Sequence, residues 1–182
     1  MRITRFLRNG RVTLDEMAAT AAAATASRVK GRHILAIQDT TSLRDDGAGS
    51  SLVLHPTIAV DALDGALLGL VGAQLLGRSG GLKALRKQRP LADKQSRRWL
   101  DGAAAAASLL AEGAAAVTVI ADREGDIYED FAHRPAGVHL LIRAAQDRCL
   151  ANAGGGKLFA TAAAAPELGG MRVPLAAAPG RP

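Results

Sequence analysis

Two stretches, Ile34-Leu35-Ala36-Ile37-Gln38-Asp39 and Val117-Thr118-Val119-Ile120-Ala121-Asp122, decide the fold. Each is a short apolar run that ends on a carboxylate. Runs of this length and composition read as buried strands. Polar residues follow at once, Thr40-Thr41-Ser42 after the first and Arg123-Glu124-Gly125-Asp126 after the second. If the two strands are parallel neighbours, Asp39 and Asp122 emerge at the same sheet edge, where open α/β sheets carry their chemistry. Two carboxylates there suit a divalent cation and phosphoryl transfer, because magnesium prefers hard oxygen ligands.

The segments around these runs extend the pattern. Thr13-Leu14-Asp15-Glu16 reads as a capping box that opens an alanine-rich helix running to about Ser27. Residues 44–51, with Asp45, Asp46, Gly47 and Gly49, read as a polar loop. Apolar runs follow at 56–60 and 66–76, with the hairpin signal Asp64-Gly65 between them. Pro56 is expected to open a strand or lie on a sheet edge, since it has no N–H for a ladder. Residues 94–112 read as a long helix anchored by Trp99, Leu100, Leu109 and Leu110, with Gly113 as its stop. Asp126 is expected to cap a short helix ending near His133. Residues 138–142 are the last clear strand, ended by Arg143. The order is β-β-β-α-β-α-β, that of an α/β ribonuclease-H-like core. That fold sets the first and fourth strands side by side and parallel.

Length and charge narrow the class. The 182 residues, 48% hydrophobic, suffice for one domain with a substantial core and not comfortably for two. Lys and Arg number 23 against 17 Asp and Glu, a balance that suits a polyanionic partner. It is concentrated in residues 78–98, where Arg78, Lys83, Arg86, Lys87, Arg89, Lys94, Arg97 and Arg98 meet one acid, Asp93. That stretch reads equally as a phosphate-neutralising surface or as an ordinary solvated one. A single cysteine, Cys149, excludes an internal disulfide or a cysteine zinc site. His33, His55, His133 and His139 form no ligand pair at helical spacing and read as structural. No stretch resembles a signal peptide or a membrane span, so the expectation is a cytoplasmic chain with no membrane partner.

Asp39-Thr40-Thr41-Ser42-Leu43, Trp99-Leu100 and above all Asp122-Arg123-Glu124-Gly125-Asp126-Ile127-Tyr128 resemble the bacterial DDE transposases of the insertion-sequence-four type, in the branch like transposon Tn-five. Arg5-Phe6-Leu7-Arg8-Asn9 is similar to the family segment before the catalytic core, and Pro166-Glu167-Leu168-Gly169-Gly170 to part of a β-rich insertion. The implied organisation is a helical lead-in at 1–33, a ribonuclease-H-like core at 34–146 and the start of the insertion at 147–182.

The resemblance implies a cut-and-paste transposase acting on double-stranded DNA at transposon ends. In that family two Asp and one Glu hold two magnesium or manganese ions. Asp39 matches the first Asp and Asp122 the second, so both are expected to be catalytic and metal-binding. The family's third acid stands in a helix with Tyr, Arg and Lys, a pattern absent here. After Asp130 only Asp147 and Glu167 are acidic. The chain therefore reads as a fragment truncated at both ends, with little transposition of its own. Thr40, Arg123, Arg143, Lys83, Arg86, Lys87, Arg97 and Arg98 are candidate DNA contacts. Turn chemistry at Thr40 and ion pairing at Arg123 and Glu124 are the competing roles. Two other functions stay open: a non-catalytic fragment that binds DNA or full-length transposase, and a simple nuclease of the same fold.

Overall fold

A computed structural model of the chain describes residues 2–45, 50–79, 96–151, 154–170 and 172. Met1–Ala145 and Gln146–Pro182 are two separate compact units. The first is mixed α/β. Its elements are α1 (Arg2–Leu7), α2 (Leu14–Ala26), β1 (His33–Gln38), β2 (Thr41–Asp45), β3 (Ser50–Asp61), β4 (Leu67–Ser79), α3 (Arg97–Leu110), β5 (Ala116–Ala121), α4 (Tyr128–Ala132) and β6 (Val138–Ile142). The strands form one six-stranded mixed sheet in the order β2-β3-β1-β5-β6, with β4 also paired to β3. β1, β5 and β6 are parallel, and β3 runs against β1, β2 and β4.

β1 and β2 are one line of chain with a break in it. The rungs Ile34↔Asp61 to Gln38↔Thr57 continue in the same register as Thr41↔Leu54 and Ser42↔Val53. At the break, the Asp39 N–H donates to the Pro56 carbonyl at 3.4 Å. In an antiparallel ladder the reciprocal bond would come from residue 56. Pro56 has no N–H to give, so the pairing lapses beside Asp39. Two expectations are corrected here. Pro56 lies inside β3, with Ala73 of β4 across from it, rather than at a strand start or edge. Residues 44–45 and 50–51 are strand rather than loop, being the paired ends of β2 and β3.

The core lies on one face of the sheet. Ile34, Ala36, Ala59, Val71, Val117, Val119 and Val138 meet Ala103, Ala106 and Leu110 of α3 and Val29 after α2. Small residues on α3 bring it close. A Cβ on Gly102 would lie 2.4 Å from the end of the Gln38 side-chain amide and 3.1 Å from Thr57 Oγ1. At the start of α2 the Thr13 hydroxyl accepts from the Glu16 N–H at 3.2 Å, one of the two bonds of a capping box. The helix is stapled to β4, where register shifts accompany side-chain bonds to the backbone. Thr25 Oγ1 donates to Leu70 O at 2.7 Å and Arg28 donates to Leu68 O at 2.8 Å. The alternate positions on the other face, Leu35, Ile37, Ile58, Val60 and Ile120, are half-buried, and Leu141 is largely exposed.

In the second unit, Cys149 and Lys157 form an isolated antiparallel bridge before α5 (Leu158–Ala164). Asp147 accepts from the Phe159 N–H at 2.9 Å and so satisfies one donor of the helix start. Residues 166–170 are irregular. No helix among the described residues is long and apolar enough to cross a membrane.

Leu110 is fully buried at the end of α3. Leu110→Ala is expected to cost about 2–5 kcal/mol, read as a lower urea midpoint with an unchanged slope. An unchanged midpoint would mean that α3 contributes no packing to the sheet.

Candidate functional site

Adjacent parallel strands carry the candidate residues to one edge of the sheet. The last β1–β5 rung is Ile37↔Ile120, and two further steps in that register bring Asp39 level with Asp122. The last β5–β6 rung is Ala121↔Ile142, which brings Asp122 level with Arg143. The Arg143 N–H donates to Ala121 O at 3.1 Å, so the ladder continues to that point. Asp39, Asp122 and Arg143 therefore form a row across three strand ends, with neighbouring backbones about 4.8 Å apart. Side chains alternate across a sheet, so all three belong to the face of Ile37 and Ile120, opposite the helices. At the far end of that face His33 Nε2 and Thr118 Oγ1 lie 2.9 Å apart, diagonally across the β1–β5 pair, where His33 is level with Ala116.

Both carboxylates are exposed, and each is oriented by a backbone donor. Asp39 Oδ1 accepts from the Thr40 N–H at 2.7 Å. Asp122 Oδ1 accepts from the Glu124 N–H at 2.8 Å and caps the 3-10 turn Arg123–Gly125. Among the described residues, neither second oxygen has a hydrogen-bond partner. This donor set fits a divalent cation that prefers oxygen and retains several waters. Among the described residues no group of three or more His, Cys, Asp or Glu side chains is arranged to hold a metal ion.

Behind the row lies a buried polar network that the sequence reading missed. His55 is 1% exposed and faces Trp99 edge-on, with ring centroids 4.5 Å apart. The Gln38 amide nitrogen donates to His55 Nε2 at 3.0 Å and to Trp99 O at 3.3 Å, while its oxygen accepts from the Ala103 N–H at 3.2 Å. This leaves the proton on His55 Nδ1, which donates to Thr40 Oγ1 at 2.9 Å. Arg98 Nε donates to the same oxygen at 3.1 Å, and Arg98 Nη2 donates to Glu124 at 2.9 Å. Gly125 presses on the Trp99 ring: an added Cβ would come within 3.2 Å of it and within 2.5 Å of Ala121 Cβ. The available signal was positional. Gln38, His55 and Thr57 occupy the inward-facing steps of β1 and β3 that otherwise carry Ala36, Val53 and Ala59.

The other candidates are dispersed. Thr40 joins the network and stands beside Asp39. Arg123 is exposed within the turn after β5. Arg97 is half-exposed and pairs with Asp101 one helical turn on, at 3.3 Å. Arg98 is buried to 9% exposure, with its guanidinium 5.4 Å from the Trp99 ring centre. Lys83, Arg86 and Lys87 lie outside the described residues. Asp126 is a correction: it does not cap α4, whose N-cap is Ile127. Its carboxylate instead accepts from the Ala145 N–H at 2.7 Å, beyond the end of β6.

Burial is the leading cause of the shifted titration of two groups. Burial, aided by the Arg98 charge and opposed by Asp39, pushes the His55 imidazole down to about 4. Because the unfolded chain takes that proton first, the associated stability is present above pH 6.5 and is lost as pH falls toward 4. Burial pushes the Asp130 carboxyl on α4 up to about 6. Here the unfolded chain ionises first, so the associated stability is present below pH 3.8 and is lost as pH rises through 6. No protein-family model matches the chain, and no curated protein matches it.

Asp130→Asn removes the ionisation and is expected to stabilise the fold at pH 8 by on the order of 1 kcal/mol. The gain should vanish near pH 4 in melting curves followed by circular dichroism. An equal effect at both pH values would exclude a buried, protonated Asp130.

Proposed function

We propose that this chain is the catalytic-core portion of a DDE-type DNA transposase with a ribonuclease-H-like fold. The observation that carries the reading is the level placement of Asp39 and Asp122 at the ends of two adjacent parallel strands. Across the sheet the order β4-β3-β1-β5-β6, with only β3 running against the rest, also supports that fold. The motif residues around both acids support the family.

The chain's own residues divide the work. Asp39 and Asp122 offer oxygens to magnesium or manganese, each aimed by the backbone of its own turn. A divalent cation bound there would supply activation of a water or a DNA 3′-hydroxyl and would neutralise charge on the leaving oxygen. Arg143, level with Asp122, and Arg123 in the adjoining turn bring positive charge to the same edge, suited to DNA phosphates. Full strand transfer in this chemistry calls for a third carboxylate. No third acid joins the pair among the described residues, so the activity proposed for this chain alone is duplex binding with at most trace cleavage.

Mobility shifts on double-stranded DNA across a salt series test the reading. Binding is expected to weaken steeply with salt, and Arg123→Ala and Arg143→Ala should each lower the log–log slope by about 1. Incubation with Mn²⁺ should give at most trace nicking, and Asp39→Asn should remove it. Salt-insensitive binding, or nicking untouched by Asp39→Asn, would refute the assignment.

A further inference from the structure

Arg98 joins the two acidic turns through a symmetric pair of contacts. Thr40 accepts from the Arg98 guanidinium with its hydroxyl and holds the Asp39 carboxylate with its backbone N–H, at 3.1 and 2.7 Å. Glu124 accepts from the same guanidinium with its side chain and holds the Asp122 carboxylate with its backbone N–H, at 2.9 and 2.8 Å. Two of the residues that hold Arg98 thus also aim the aspartates. Arg98 is itself held, at 9% exposure, against the Trp99 ring. Its planar fork fixes the angle between the two partners, which a flexible ammonium does not do.

We propose that Arg98 is a positioning residue: by bonding Thr40 and Glu124 at once, it sets the separation of the Asp39 and Asp122 carboxylates for a divalent cation. This rests on the metal-binding reading above and deepens it. Charge and geometry make opposite predictions. A buried cation beside two carboxylates repels a metal ion, so by charge alone its removal strengthens metal binding. If the guanidinium instead holds the turns in register, its removal weakens binding, and groups behind metal ligands typically change affinity 10–100-fold.

The experiment is Mn²⁺ titration of the whole chain, followed by the electron paramagnetic resonance signal of free Mn²⁺. The variants are Asp39→Asn, Arg98→Gln, Arg98→Lys and Glu124→Gln. Wild type is expected to bind Mn²⁺ and Asp39→Asn to lose it. Arg98→Gln should bind about 10–100-fold more weakly. Arg98→Lys should not restore affinity, because one ammonium cannot reproduce the fork. Glu124 is 57% exposed, so Glu124→Gln leaves the fold intact and decides the matter if Arg98→Gln does not fold. It should weaken binding several-fold, in the range of a single lost charge-assisted bond. Unchanged or tighter binding by the Arg98 and Glu124 variants, with Asp39→Asn still defective, overturns the positioning role and leaves the metal site standing. No Mn²⁺ binding by wild type, or undiminished binding by Asp39→Asn, overturns the metal site and this inference with it.

Discussion

The parallel pairing of β1 with β5 is the constraint from which the rest follows. Parallel neighbours separated by nearly 80 residues of chain need a crossover, and α3 supplies its last leg. At its middle that helix presents a small inward surface: Gly102, Ala103 and Ala106 let it settle on Gln38, Ala36 and Val119. With α3 in place, its first turn delivers Arg98 and Trp99 between the turn after β1 and the turn after β5. Packing of the helix and assembly of the polar network are therefore one event. Burying Trp99 leaves its indole N–H without a partner among the described residues, so the ring is retained by the contacts of its faces and edges.

The network also divides labour between the faces of the sheet. On the helix side, Gln38, His55, Thr40 and Arg98 satisfy one another in a nearly dry space, where an unpartnered polar group would be costly. On the other side, Asp39, Asp122 and Arg143 stand at the open edge. Two backbone N–H groups, those of Thr40 and Glu124, connect the two regions. Rigidity is thus built where water is excluded, and the carboxylates stay in solvent, where a hydrated ion can reach them.

Much of this architecture is legible in the residues. The apolar runs before Asp39 and Asp122, the capping box at Thr13 and the strand before Arg143 are local signals, and local signals survive folding. The parts that escape reading are tertiary. A strand at 41–45 rich in polar residues forms because β3 is long enough to template it. Pro56 enters a central strand because its missing donor coincides with the break in the neighbouring one. Asp126 has the sequence of a helix cap, yet a backbone N–H from beyond β6 takes its carboxylate. Arg98 belongs to a basic stretch and reads as surface. Its burial depends on two acceptors, 58 residues before it and 26 after it, which no local pattern brings together.

The proline opposite Asp39 has a consequence for how this edge behaves. Most interruptions in a strand are held by weak forces that heat, denaturant or a bound ligand can reverse. Here the interruption is written into covalent structure, since no change of solvent can give an imide nitrogen a hydrogen. The first aspartate thus sits at a hinge that cannot zip shut, whatever happens to the charges around it.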